Sequence, residues 1–140
     1  MIAYFDTSAV VPLLVEEPGS NRAAAVWDEA DRVTSARLLY PEARAALAQA
    51  RRQDRLDAPG LRAAVDGLER LVGLLDMIEI TETLARRAGE LAVSHSLRGY
   101  DAIPVATAEL LHDPNLVVAA GDVALLDACE ALGIAVARTS

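Results

Sequence analysis

Four acidic residues stand at strand ends, at a helix start or on a core-facing stripe, and at least two of them where a folded chain does not simply leave them in water. Asp6 follows directly on the apolar run IAYF at 2–5. Asp122 follows LVVAA at 116–120 after a single glycine. Asp101 opens the segment AIPVATA, and Glu42, three residues after Leu39 and four before Ala46, falls on the apolar stripe of a helical pattern. Each has an ordinary use. Asp6 and Asp101 could be helix N-caps, worth about 1 kcal/mol each; Asp122 could be a turn residue beside Gly121; Glu42 could pair with an arginine. Together they imply chemistry. Two carboxylates about 4 Å apart repel by about 4 kcal/mol at an effective dielectric of about 20, so a cluster persists by binding protons or cations. Oxygen-only ligands select a hard divalent ion, Mg²⁺ or Mn²⁺. Such an ion can activate water and stabilise charge in phosphoester hydrolysis.

The elements that must position these acids alternate along the chain. IAYFD reads as a first strand and SAVVPLLV as a short helix; Ser20 is placed to N-cap a helix through NRAAAVWDEA. RVTS is a second strand, followed by ARLLYPEARAALAQARRQ, a helix in which Pro41 predicts a kink or break. After the turn DAPG come a helix, LRAAVDGLERLVGLL, and a third strand, MIEI. Thr81 caps ETLARRAGELAVSHSL; RGYD is a turn into AIPVATAELLH, with Pro104 expected in the first helical turn. LVVAA is a fourth strand, VALLDACEAL a helix that Gly133 stops, and IAVAR a fifth strand. Alternation of this kind predicts one α/β domain over residues 1–140, a parallel sheet of about five strands covered on both faces. In such sheets ligands bind beyond the carboxyl ends of the strands, where Asp6 and Asp122 fall.

Composition removes several classes. The chain has 140 residues, 53% hydrophobic and 24% charged, as expected of a globular domain. No run is long enough for a membrane helix and no basic leader precedes an apolar core, so a cytoplasmic location is the expectation. The single cysteine, Cys129, excludes an internal disulfide and a cysteine-built zinc site; in ALLDACEALG it reads as a buried small hydrophobe. His95 and His112 share no ligand spacing. The net charge of −8 argues against bulk electrostatic binding of nucleic acid, though not against holding it through a metal. Every basic residue is arginine. Arg51, Arg52, Arg55, Arg86 and Arg87 read either as helix-end and solvated charges or as phosphate contacts, and Arg98 is the one closest in sequence to an acid of interest. Trp27, with Leu13, Leu14 and Val26, belongs either to the core or to a dimer face.

DTSA after the first strand, PEARAAL at 41–47 and YDAIPVATA at 100–108 occur in an order and spacing that resembles the PIN domain, and more narrowly the VapC toxins of bacterial toxin–antitoxin pairs. The similarity covers essentially the full length. It implies a sheet ordered 3-2-1-4-5 and an endoribonuclease dependent on Mg²⁺ or Mn²⁺. By matching motif, Asp6, Glu42 and Asp101 would form the acidic site, with Asp6 and Asp101 on the metal and Asp122 as a fourth acid. Ser8 matches a small hydroxyl residue two positions after the first aspartate, and with Arg98 would face the substrate. The resemblance further implies an RNA substrate, a homodimer and a small VapB-like antitoxin. Ala120 stands where the family often has threonine, and Pro104 where histidine is frequent.

Rival phosphoryl-transfer folds share the acid after strand one. A receiver domain or haloacid-type phosphatase normally needs a lysine, absent here, and the phosphatase needs an aspartate where Ser8 stands. A dinucleotide enzyme would show G-x-G-x-x-G after strand one, also absent. A catalytically degenerate PIN-like adaptor is the remaining alternative, and a divalent-metal titration discriminates it.

Overall fold

Ile2–Phe5 forms β1, the centre of a five-stranded parallel sheet in a computed structural model that describes all 140 residues. Its side chains alternate between the two faces. Ala3 and Phe5 enter one core cluster, and Tyr4 enters the other. Both faces are therefore covered, which is why the strand reads as continuously apolar. The remaining strands are β2 (Arg32–Ala36), β3 (Asp76–Ile78), β4 (Leu116–Ala120) and β5 (Ala135–Arg138), in the order β3-β2-β1-β4-β5. The expected 3-2-1-4-5 arrangement is thus observed. Leu116, Val118 and Ala120 of β4 share a face with Tyr4, while Val117 and Ala119 lie on the face of Ala3 and Phe5.

Seven helices cover the sheet. Helices α1 (Thr7–Leu14), α2 (Ser20–Glu29), α3 (Leu39–Arg52) and α4 (Ala58–Val72) pack with Phe5. Helices α5 (Glu82–Ser94), α6 (Gly99–Leu111) and α7 (Val123–Ala131) pack with Tyr4. On α5, Leu84, Ala88 and Leu91 repeat at helical spacing and meet Ala102, Val105 and Ala106 of α6. Arg87 then ties the two helices with a forked pair to Glu109, Nε at 2.6 Å and Nη2 at 2.8 Å. That packing fixes α6, and with it Asp101. Trp27 belongs to the core side, edge-on to Phe5 with ring centroids 5.4 Å apart. Burying a side chain such as Phe5 stabilises by about 1.5–3 kcal/mol. No helix is long and apolar enough to cross a membrane.

Several local expectations are corrected. Ser20 is the first residue of α2 rather than its cap; its hydroxyl accepts the Glu17 N–H and donates to the Val15 carbonyl, holding the loop behind it. Pro41 neither kinks nor breaks α3, because it lies in the first turn, whose N–H groups lack helical partners in any case. Strand β2 runs on to Ala36, and β3 starts one residue earlier than MIEI and ends at Ile78. Helix α6 starts at Gly99 within the expected turn, with Arg98 as N-cap. Pro104 is consequently the sixth helical residue, beyond the first turn, and leaves the carbonyl of exposed Tyr100 without its usual donor.

Candidate active site

The sheet order creates a place for a ligand before any side chain is considered. From β1 the chain crosses to β2 and β3 on one side, then returns to β4 on the other. The carboxyl ends of β1 and β4 therefore diverge at a switch point, the usual ligand crevice of open α/β sheets.

Asp6 sits at this point. Its N–H donates to Ala119 O at 3.0 Å, continuing the ladder. Its carbonyl accepts the N–H groups of Ala9 and Val10, so it also begins α1 as N-cap. The carboxylate Oδ2 accepts from the Ser8 N–H at 3.1 Å and the Ser8 hydroxyl at 2.5 Å. Ser8 Oγ in turn accepts the Gly121 N–H at 2.9 Å. One hydroxyl thus joins the carboxylate after β1 to the backbone after β4.

Glu42 arrives from α3, where it lies in the first turn on the inward stripe with Leu39 and Ala43. Thr7 Oγ1 donates to Glu42 Oε1 at 2.9 Å, so the residue next to Asp6 orients it. Asp101 is the third residue of α6, one-fifth exposed, and accepts from Arg98 Nε at 3.0 Å. Its N-cap reading is therefore corrected: Arg98 holds that place, through its backbone carbonyl. Asp122 does cap a helix, Oδ1 accepting the Leu125 N–H at 3.0 Å at the start of α7.

The electrostatics tie these acids together. Asp6 has its carboxyl pushed up, first by burial and further by the field of Asp101, against the downward pull of its Ser8 hydrogen bonds. Glu42 is also pushed up, first by burial and then by Asp6 and Asp101, with the Thr7 bond opposing. Beneath them, burial and the charges of Asp6 and Glu42 hold the Tyr4 phenol above its ordinary value. Arg98 is raised by Asp101 and feels Asp122 as well. Asp6, Glu42 and Asp101 thus lie near enough to feel one another's charge, and Arg98 feels both Asp101 and Asp122. No arginine pairs with Asp6 or Glu42; the other guanidinium pairs in the molecule lie on other acids.

The donor set suits a hard cation: oxygen only, net negative, with Asp101 alone of the four acids paired to an arginine. No three histidine, cysteine, aspartate or glutamate side chains converge closely enough to hold a metal ion by themselves. An open arrangement fits Mg²⁺, which usually takes one or two carboxylates and keeps waters or phosphate oxygens. Concavities also lie elsewhere, among them one of about 480 Å³ at the amino ends of β4 and β5, lined by His112, Pro114 and Leu132. They carry no comparable charge convergence.

Sequence reasoning missed Thr7 as the anchor of Glu42 and Gly121 as the donor to Ser8. Thr7 was visible only as a helix-starting hydroxyl, because its partner is 35 residues away. Ser8 was expected to face substrate; its proton and one lone pair are engaged inside the protein.

Comparison with known proteins agrees with the fold. The PIN domain family model matches residues 3–129. Ribonuclease VapC45 of Mycobacterium tuberculosis (strain CDC 1551 / Oshkosh) is 44% identical over 136 residues, covering 97% of this chain and 94% of that protein. Among solved structures, FitAcB from Neisseria gonorrhoeae superposes with a TM-score of 0.73 at 21% identity, covering 99% of this chain and 98% of that one. A toxin–antitoxin complex from Klebsiella pneumoniae gives 0.63 at 18% identity, covering 89% of each chain.

Proposed function

Because this chain belongs to the PIN domain family, we propose that it is an endoribonuclease, the toxin of a toxin–antitoxin pair, and that it works with a divalent metal. One observation carries the metal reading: Asp6 and Glu42 repel each other and Asp101, yet neither has a cationic partner. Asp6 and Asp101 would hold Mg²⁺ or Mn²⁺, with Glu42 and Asp122 completing the acidic rim. When bound, the ion would supply charge stabilisation for the phosphodiester and lower the pKa of the attacking water.

The chain's own residues do the rest. Ser8 holds Asp6 against the end of β4, and Thr7 holds Glu42 toward Asp6. Glu42, oriented by Thr7 beside Asp6, is placed to take a proton from water. Arg98 reaches out from the start of α6, available to a phosphate oxygen. In this reading a phosphate docks at the edge between β1 and β4, Glu42 accepts a proton from water, the water oxygen bonds to phosphorus as the P–O bond to the ribose oxygen breaks, and that oxygen leaves with a proton from solvent.

The 44% identity to Ribonuclease VapC45 and the structural likeness to a toxin–antitoxin complex support a small antitoxin as partner. An acidic, arginine-poor pocket invites an arginine-bearing inhibitory segment. A homodimer is part of the same proposal. The adaptor alternative gains nothing from the site, which keeps all four acids. The test is incubation of purified protein with a pool of structured RNA plus Mg²⁺ or Mn²⁺. Cleavage abolished by chelator and restored by metal is expected; metal-independent cleavage, or none with any divalent ion, overturns the reading.

A further inference from the structure

We propose that Arg98 is an exchangeable counter-ion: it neutralises Asp101 while the site lacks a divalent cation, and turns to a substrate phosphate once the cation takes that carboxylate. The inference rests on the metal reading above and adds a coupling between metal occupancy and grip on the RNA backbone.

Three features of Arg98 carry it. First, it is the one guanidinium paired with any of the four acids: Nε lies 3.0 Å from Asp101 Oδ2. The other arginine pairs, such as Arg32 with Asp76 and Arg37 with Glu79, lie at other sites. Second, the pair is lopsided in burial. The Arg98 side chain is 82% exposed and that of Asp101 only 20%. The carboxylate stays in the pocket while the guanidinium sits at its mouth, where an ion pair holds weakly. Third, its root is fixed. The Arg98 carbonyl accepts the N–H groups of Asp101 and Ala102 and so starts α6, leaving the side chain to swing from a stationary backbone.

The exchange follows from charge. With no ion in the site, Asp101 faces the negative charges of Asp6 and Glu42, and Arg98 is the guanidinium that pairs with it. Once Asp101 is shared with a divalent cation, Arg98 is repelled by like charge and loses its acceptor. A phosphate oxygen at the same mouth offers the guanidinium a stronger, forked partner. Arg98 is thus a positioning and substrate-gripping residue whose availability reports the state of the pocket.

Two measurements on the full chain test this. Calorimetric titration with Mn²⁺ alone, without RNA, compares wild type with Arg98→Ala and Arg98→Lys. Removing the competing cation is expected to tighten Mn²⁺ by about twofold to fivefold, the range for an exposed ion pair; Arg98→Lys should stay near wild type. Arg98 caps through its backbone, so the alanine variant keeps the helix start. Next, anisotropy of a short phosphorothioate oligouridylate is followed against salt. With Mn²⁺, the salt slope of Arg98→Ala should be shallower by about 0.7, one phosphate contact on a single strand. Without Mn²⁺ the two proteins should be indistinguishable. Unchanged Mn²⁺ affinity in Arg98→Ala, or a slope difference of the same size with and without Mn²⁺, overturns the exchange alone if wild type still binds Mn²⁺ and Asp6→Asn does not. Absence of Mn²⁺ binding by wild type overturns the metal reading and this inference with it.

Discussion

Replacing Asp6 by asparagine should make the metal-free protein more stable at neutral pH. The folded carboxyl is pushed above its ordinary value, chiefly by burial, with Asp101 adding to it. The folded state therefore binds this proton more tightly than the unfolded chain. The associated stability is fully present below the unfolded carboxylate value and is lost as pH rises through the raised folded value. At neutral pH the buried charge is therefore a net burden on the folded state. Asparagine removes the charge but keeps an oxygen for the Ser8 N–H, and caps a helix about as well as aspartate. For 140 residues the unfolding entropy is ~290 cal/mol/K, so each ~1 kcal/mol of relief moves Tm by ~3 °C. Metal acts oppositely: a hundredfold excess over Kd stabilises wild type by about 2.7 kcal/mol, ~9 °C, and should do much less for Asp6→Asn. The assay is differential scanning fluorimetry from pH 4 to 8, with chelator or Mn²⁺. An Asp6→Asn protein less stable than wild type in chelator at pH 7, or a wild-type Tm indifferent to Mn²⁺, refutes the reasoning.

Thr7→Val keeps shape but removes the 2.9 Å bond to Glu42; RNA cleavage should fall at least tenfold while stability changes by only about 1 kcal/mol, read by parallel kinetics and melting. Gly19→Ala would place a Cβ 2.0 Å from the Thr139 carbonyl oxygen, forcing the loop before α2 away from the end of β5. Its cost should be about 1–3 kcal/mol, whereas Gly89→Ala, exposed inside α5 with nothing within 4 Å, should stabilise by about 0.5–1 kcal/mol; denaturant titration separates the two. Cys129 is fully buried and its thiol is pushed up to about 12, first by burial and then by Asp6 and Glu130. A thiol reagent at pH 8 should label it only as the protein unfolds.

The order of strands and helices was legible because each element carries its own periodicity, and the positions of Asp6 and Asp122 followed from parallel-sheet geometry. The order 3-2-1-4-5 was not in the periodicity; it came with the family resemblance. The misread details share one cause: local residue type was taken for local role. Ser20 has a capping side chain that bonds backward to Val15 and Glu17. RGYD looks like a turn, yet Gly99, Tyr100 and Asp101 are helical because α5 and the sheet hold α6 there. This moves Asp101 out of the capping position and Pro104 out of the first turn. The Thr7–Glu42 and Ser8–Gly121 bonds span 35 and 113 residues, so no local pattern encodes them.

The central claim is that Asp6, Glu42 and Asp101 act as one charged site for RNA cleavage. Its most direct test is cleavage of one RNA pool, with Mg²⁺ or Mn²⁺ and with chelator, by wild type, Glu42→Gln and Asp101→Asn, folding being checked by circular dichroism. Neither substitution disturbs a cap, since Glu42 and Asp101 lie inside their helices. Metal-dependent cleavage by wild type with a loss of at least a hundredfold in both folded variants is the expected result. Wild-type rates in either folded variant would contradict the account.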